Sequence, residues 1–374
     1  MADNVPDDDL DVLIVGAGQA GLVTGRLLAT TACRVRLFEQ APRLGDSWRR
    51  RYDSLTLFSP RSLSGLPGLP MDGDPEGYAG KDEVADYLER YAAAHQLPVA
   101  VDEAITTLER HGDRFMGRSS RGRLVRSRAV VVTTGPFQQS AIPPFALSLS
   151  PAVAQLGADQ YRRPAQVSPS RVAVVGGGAT GRQIAHDLAP ASRVTISVGR
   201  PICITPQRLL GRDVMAWFDA LGFLRADKAS LQGRLARARE SFPGRHLANR
   251  SLRRIGVRVR TRVVGATSDG LVFDDGAVEP FEAVIWATGY VDRSQWLKVA
   301  DTLDGAGRHR ESYGQSPAPG LFYVGRHWQR SRASALLCGV GDDAALVVAQ
   351  VQRWLAAQPR RAWAISAAGA RRRR

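Results

Sequence analysis

The chain has 374 residues, 44% hydrophobic and 23% charged, with a formal net charge of +15 at pH 7. That balance excludes a disordered or fibrous chain, and the length accommodates one large domain or two ordinary ones, each with its own core. The arginines are scattered without interleaved aromatic stackers, which argues against nucleic-acid binding, and Cys33, Cys203 and Cys338 lie far apart with no C-x-x-C pair, which argues against disulfides, a dithiol centre and a zinc site.

No apolar run reaches bilayer length, and the start, MADNVPDDDLD, is acidic where a signal peptide is basic. The reading is therefore a cytoplasmic protein with no membrane partner and no metal. Residues 1–11, acidic and ahead of the first apolar strand, are expected to be disordered. From Val12 the pattern turns to strand, glycine turn, helix and strand, a βαβ unit over VLIVG, AGQAGLVTGRLLATT and RVRLFEQ.

Residues 45–75 read as loops, and a helix follows over about 81–95, with Val84, Tyr87, Leu88 and Tyr91 at helical spacing. RLVRSRAVVVTTG reads as a buried strand ending at Gly135, and the Pro- and Ser-rich stretch around 137–170 as a domain crossing. A second βαβ unit begins at Arg171. VRVRTRVVGATSDGLVFDDG alternates like antiparallel strands with an Asp275-Gly276 turn. FEAVIWATGY and GLFYVG read as two more strands, and a last helix is expected over about 342–357.

These elements predict an α/β fold of two Rossmann-like dinucleotide-binding domains, the second inserted in the first. The expected boundaries are residues 12–165 and 282–360 for the first domain, 166–281 for the inserted one, and 361–374 for a solvated basic tail.

In GAGQAG, Gly16 suits the tight turn, Gly18 the close approach of a pyrophosphate, and Gly21 the packing of helix on strand. Glu39, 23 places beyond Gly16, can accept hydrogen bonds from both ribose hydroxyls. Gly176, Gly178 and Gly181 repeat the spacing, but the position 23 places beyond Gly176 is Gly199, followed by Arg200. A glycine beside a guanidinium makes room for a 2′-phosphate that a carboxylate would repel, so the second ligand is expected to be NADPH. A fixed flavin visited by a mobile hydride donor accounts for two such sites in one chain.

At this point the residues resemble the class B flavin-dependent monooxygenases, in particular compact bacterial flavoproteins related to plant YUCCA enzymes. The resemblance is carried by GAGQAGL, LGDSWRRRYDSLTLFSPRSLSGLPGLP, VVTTGPFQ, YRRPAQ, VVGGGATGRQIAHDL, WATGY and PGLFYVGRHWQRSRASALLCGVGDDA. It implies that NADPH reduces FAD, that O₂ adds at flavin C4a, and that the hydroperoxide passes one oxygen to a small organic substrate by N-, S- or related oxygenation.

It further implies FAD contacts at Gly16, Gly18, Gln19, Ala20, Gly21, Glu39, Gln40, Trp48, Gly135, Gly325 and Asp342, with GVGDDA as a helix start beside the flavin. NADPH contacts fall on Gly176, Gly178, Ala179, Thr180, Gly181, Gly199, Arg200, Ala287, Thr288 and Gly289. Trp48, Ser59, Arg61 and His327 are the candidates closest to the chemistry, and Phe58, Gln138 and Trp328 join Trp48 as pocket lining.

The chain departs from the family at Gly157, in QLGADQYRRP, where compact relatives carry histidine. That departure leaves an NADPH oxidase or dehydrogenase of the same fold as an alternative, beside a non-catalytic redox sensor. A homodimer is left open.

Overall fold

The computed structural model describes residues 8–358 except 168, 169 and 240. The basic tail 361–374 lies outside the described residues. In the first part of the chain, β1 (Asp8–Val15), α1 (Gln19–Ala29), β2 (Val35–Phe38), α2 (Asp46–Arg49), α3 (Lys81–Ala94), β3 (Val99–Ala100), β4 (Ile105–His111), β5 (Arg114–Ser119) and β6 (Leu124–Val132) follow one another. They build a sheet of order β3-β2-β1-β6-β5-β4. Its centre is parallel, Val12–Val15 lying against Val35–Phe38 on one side and Ala129–Val132 on the other. Strands covered on both faces read as unbroken apolar runs, as Val12–Val15 and Ala129–Val132 do.

β1 begins at Asp8, so residues 8–11, expected to be disordered, are ordered strand paired with β6. The acidic run is matched by arginines on its neighbour. Asp9 takes Arg126 Nε at 3.1 Å, and the buried Asp11 takes Arg128 Nη1 at 3.0 Å. Removing one member of such a buried pair costs about 3–5 kcal/mol, which is why charge there does not mean disorder.

After β7 (Gln139–Ser140), a second sheet is assembled from β8 (Ala154–Gly157), β9 (Arg171–Val175), β10 (Arg193–Ser197) after the helix α4 (Ala179–Leu188), and two later strands. The intervening segment carries β11 (Cys203–Thr205), the hairpin β12 (Arg208–Leu209) and β13 (Arg212–Asp213), α5 (Val214–Ala220), α6 (Leu231–Ala238), β14 (Ser241–Pro243) and α7 (Asn249–Arg254). Then come β15 (Arg258–Arg260), the antiparallel β16 (Val263–Thr267), β17 (Gly270–Phe273) and β18 (Val278–Glu279), and β19 (Ala283–Trp286). The second sheet has the order β15-β10-β9-β19-β8, with every pairing parallel. β8 and β19 therefore lie in the second sheet, although both fall outside residues 166–281. β19 is an interior strand, between β9 and β8, and AVIW is accordingly buried at every position, which an edge does not allow.

β20 (Tyr290–Val291) pairs antiparallel with β7, so the two chain crossings between the sheets hydrogen-bond to each other. β21 (Leu321–Tyr323) then returns to the first sheet beside the second half of β6. The last helix, α8 (Leu337–Ala357), packs on α1. It starts five residues before the expected 342, so GVGDDA runs from the first turn of the helix into its second and Asp342 and Asp343 lie inside the helix. Gly339 and Gly341 are small there because a Cβ would lie 2.2 Å from Ala333 Cβ and 2.5 Å from Pro67 Cγ. α3 buries Val84, Tyr87, Leu88 and Tyr91 in one core with α1, α8 and the first sheet. No helix among the described residues is long and apolar enough to cross a membrane.

Candidate functional site

The first glycine turn is shaped by its own backbone. Gly16 has φ +101°, and a Cβ there would stand 2.9 Å from Thr133 O; a Cβ on Gly21 would stand 2.1 Å from Gly16 O. At Gly18 a Cβ would meet nothing within 4 Å, so the turn is open there. α1 starts beside it with no side-chain cap and no acid in its first turn, leaving N–H groups and the positive end of the helix dipole for an anion.

Glu39, at the end of β2, accepts the N–H of Ala17 at 2.8 Å and of Ala41 at 3.0 Å, which locks its carboxylate beside the turn with lone pairs to spare. Gln40 is exposed next to it. Thr133 Oγ1 donates to Gly16 O at 2.7 Å. A Cβ on Gly325 would lie 2.8 Å from Ala20 Cβ, and Gln19 Nε2 donates to Ala335 O at 3.0 Å. Residues 16–21, 39–40, 133–135, 325 and the approach to α8 thus converge.

The second turn repeats this construction. Gly176 has φ +125° with its missing Cβ 2.2 Å from Ala287 O, Gly181 closes on Gly176 O at 2.0 Å, and Gly178 is open. α4 begins at Ala179 and Thr180, again uncapped and without an acid in its first turn. Ala287 does here what Thr133 does in the first unit, while Thr288 Oγ1 donates to Ala141 O and Gly289 takes φ +104°.

Gly199 and Arg200 are exposed at the end of β10. A Cβ on Gly199 would stand 2.9 Å from Arg262 Nε, so a second guanidinium occupies this corner. The sequence reading missed Arg262 because only the pairing of β15 with β10 brings its segment there. The alternating stretch around it was the sole signal.

Between the turns, the loop after β2 spans both units. Trp48 packs against the apolar cores of each. Tyr52 Oη donates to Gln183 Oε1, and Tyr161 Oη to Asp187 Oδ2 at 2.7 Å, both from buried rings. Burial pushes both phenols up, so they remain neutral donors. At the crossings, Arg326 forks onto Asp292 at 2.8 and 2.6 Å, and Gln138 Nε2 donates to Gly135 O at 2.9 Å. Arg51 lies 5.5 Å from the ring centres of both Phe137 and Tyr290.

The remaining sequence candidates divide. Ser59 is buried, with Oγ 2.9 Å from Ser64 Oγ. Arg61 is turned onto α3, where it pairs with Glu83 at 2.5 Å; the Gly80 N–H, and then Arg61, hold the Glu83 carboxyl below the usual range. His327 is exposed, its ring 6.4 Å from that of the buried Trp328, whose backbone takes φ +56°. Phe58 packs edge-on to Phe242 at 6.0 Å.

Asp342, within α8, pairs with Arg225 and with Arg330 at 3.3 Å; its neighbour Asp343 is buried on Arg330 at 2.8 Å, and burial raises its carboxyl. Burial also pushes the Cys338 thiol up to about 11, which makes it a packing residue. Gly157 is crowded: a Cβ would lie 2.4 Å from Asp159 Oδ1 and 2.8 Å from Ser140 Cβ. Among the described residues no group of three or more His, Cys, Asp or Glu could hold a metal ion.

The family model for pyridine nucleotide-disulphide oxidoreductases matches residues 13–205. A protein of Geobacillus kaustophilus described as an uncharacterized oxidoreductase, CzcO-like, is 37% identical over 91% of this chain and 97% of its own length. Indole-3-pyruvate monooxygenase YUCCA1 of Oryza sativa subsp. japonica is 29% identical over 84% of this chain and 86% of its own. The flavin-containing monooxygenase from Stenotrophomonas maltophilia superposes with a TM-score of 0.78 at 27% identity, covering 93% of this chain and 99% of that one. With both glycine turns built as this architecture requires, the chain belongs to the pyridine nucleotide-disulphide oxidoreductase family and, within it, to the class B flavoprotein monooxygenases.

Proposed function

We propose that the chain is an NADPH-dependent FAD monooxygenase that transfers one oxygen atom of O₂ to a small organic substrate at nitrogen, sulfur or a related nucleophilic centre. On this reading the first sheet is a discontinuous FAD domain and the second, residues 154–286, an inserted NADPH domain. The observation that carries the reading is the contrast at the two strand ends. Glu39 stands beside the first turn as a locked acceptor for ribose hydroxyls, and Gly199 stands beside the second with Arg200 following it and Arg262 behind it. A carboxylate repels a 2′-phosphate; two guanidiniums attract it.

The residues fit both groups. Gly18 and Gly178 leave open backbone at the uncapped starts of α1 and α4, where pyrophosphates would sit, and Glu39 and Gln40 would meet the adenosine ribose of FAD. When bound, the flavin supplies two-electron reduction and activation of O₂. The chain supplies position and a dry environment. Trp48, joining both cores, shields the space between the turns, and the Arg326–Asp292 fork holds the second crossing against the first sheet.

The test is stoichiometry. Purified protein carrying FAD is expected to be bleached by NADPH without oxygen, and in air to form oxygenated product in proportion to NADPH consumed when amines, sulfides or indole-like acids are supplied. A yellow protein that NADPH never bleaches overturns the reading. Gly157, standing where the resemblance leads to a histidine and with no space for one, favours a second reading, an NADPH oxidase releasing H₂O₂, and peroxide equal to NADPH consumed with every substrate decides for it.

A further inference from the structure

The geometry points to Arg182 as a positioning residue of the second turn, a buried cation whose counter-charge is the pyrophosphate of the dinucleotide rather than a carboxylate of the chain. This rests on the dinucleotide reading of that turn. Arg182 follows Gly181 directly and is 2% exposed. Its three acceptors are neutral: Gly177 O from Nε at 2.7 Å, and Leu247 O and Asn249 Oδ1 from Nη1, each at 2.8 Å. No acidic side chain among the described residues perturbs it, and burial alone pulls its guanidinium below the usual arginine range. A buried charge without a counter-ion is costly, and this one sits in the first turns of α4, where the helix dipole adds repulsion.

The fold does not need a cation there. The first turn has the same glycine spacing, and the residue after Gly21 is Leu22, fully buried and apolar. The two turns therefore solve the same packing problem differently.

The hydrogen bonds say what the charge does. Arg182 draws the Gly177 carbonyl toward itself, and in a planar trans peptide the N–H of Gly178 then points the opposite way. Gly178 is the open position of the turn. Arg182 thus fixes and polarises the peptide whose N–H faces an approaching anion, and it adds a full positive charge one peptide away. A pyrophosphate on α4 offsets the buried charge, so ligand binding recovers what the ligand-free state loses. The pyrophosphate is common to NADP⁺ and NAD⁺, which separates this role from that of Arg200 and Arg262.

The experiment is calorimetric titration of the flavin-loaded protein with NADP⁺ and with NAD⁺. Arg182→Leu, the first turn's own solution, is expected to weaken both ligands by the same factor, roughly ten- to hundredfold, with flavin content unchanged and a shallower salt dependence of affinity. Unchanged affinities with a lowered Tm make Arg182 a structural tie only and overturn the proposal. A loss confined to NADP⁺ overturns it as well, because that is the signature of a 2′-phosphate contact. Arg182→Gln, which keeps a donor for Gly177 O without the charge, is expected to show the same parallel loss and carries the test where the leucine variant does not fold. Wild-type protein binding neither ligand overturns the reading of the turn itself, a result distinct from equal binding by wild type and variant.

Discussion

The guanidinium of Arg262 fills the corner that Gly199 leaves: a Cβ on Gly199 would lie 2.9 Å from Arg262 Nε. One residue at the end of β10 thus opens space that another, on the connection from β15 to β16, supplies with positive charge. Arg262 stands at this corner and Arg200 follows Gly199 directly. Each alanine variant is expected to raise KM for NADPH roughly ten- to hundredfold and to leave KM for NADH nearly unchanged. Gly199→Glu is expected to push Arg262 aside and invert the preference. Equal changes for both cofactors remove these residues from the 2′-phosphate role.

Glu39 is held by two backbone N–H groups, so its position does not depend on the ligand it serves. Glu39→Ala removes the acceptor proposed for the ribose and leaves the Ala17 and Ala41 N–H groups without their carboxylate partner. The expected result is protein purified largely without flavin, read from the 450 nm to 280 nm absorbance ratio, roughly those being the flavin and protein bands. Glu39→Gln, which keeps an acceptor, is expected to retain part of it. Full flavin content in the alanine variant removes Glu39 from the site.

Gly157 leaves no room for the histidine expected at this position from the resemblance. From the end of β8 the new side chain would meet Asp159 Oδ1 and Ser140, so Gly157→His is expected to lose about 1–3 kcal/mol of stability and to leave the yield of peroxide unimproved. A denaturant melt and a peroxide assay read the two halves. A variant as stable as wild type, with less peroxide, shows that the segment repacks and that the missing imidazole was limiting.

His309 links acid sensitivity to the crossing between the sheets. It lies 5.0 Å from the Tyr323 ring, with Nε2 3.1 Å from Ser294 Oγ, facing Arg326 and Asp292. Burial, reinforced by Arg326 and opposed by Asp292, lowers its pKa from 6.5 to about 4. Above pH 6.5 both folded and unfolded chains hold it neutral, and its contribution is complete. Between 6.5 and about 4 the unfolded chain binds a proton that the folded one does not, so stability falls with falling pH, by up to about 1.4 kcal/mol per unit. His309→Gln is expected to flatten that part of a stability-against-pH curve. An unchanged slope assigns it to other groups.

Much of the site was legible in sequence because it is local. The spacing of Gly16, Gly18 and Gly21, and of Gly176, Gly178 and Gly181, reports backbone conformations and close approaches that any side chain would block, and the strand ends at Glu39 and Gly199 follow at fixed distance. α3 was readable because Val84, Tyr87, Leu88 and Tyr91 repeat with the helical period. The start of α8 was misread because Asp342 and Asp343 look like capping residues. They are instead held within the helix by Arg330 and Arg225, side chains remote or loop-borne in sequence. The acidic residues 9 and 11 were misread for the same reason: their arginine partners are on β6.

The two glycine turns, the α/β class and the difference between Glu39 and Gly199 follow from backbone sterics and charge within short segments, and so are written in the order of residues alone. It takes the folded chain to show that β8 and β19 complete the second sheet, that Arg262 stands behind Gly199, that Gly157 is hemmed in by Ser140, and that Arg182 is buried among neutral acceptors. Those facts depend on parallel strand pairing and on loops folding back over helices. Such contacts join residues far apart along the chain, and no local pattern encodes them.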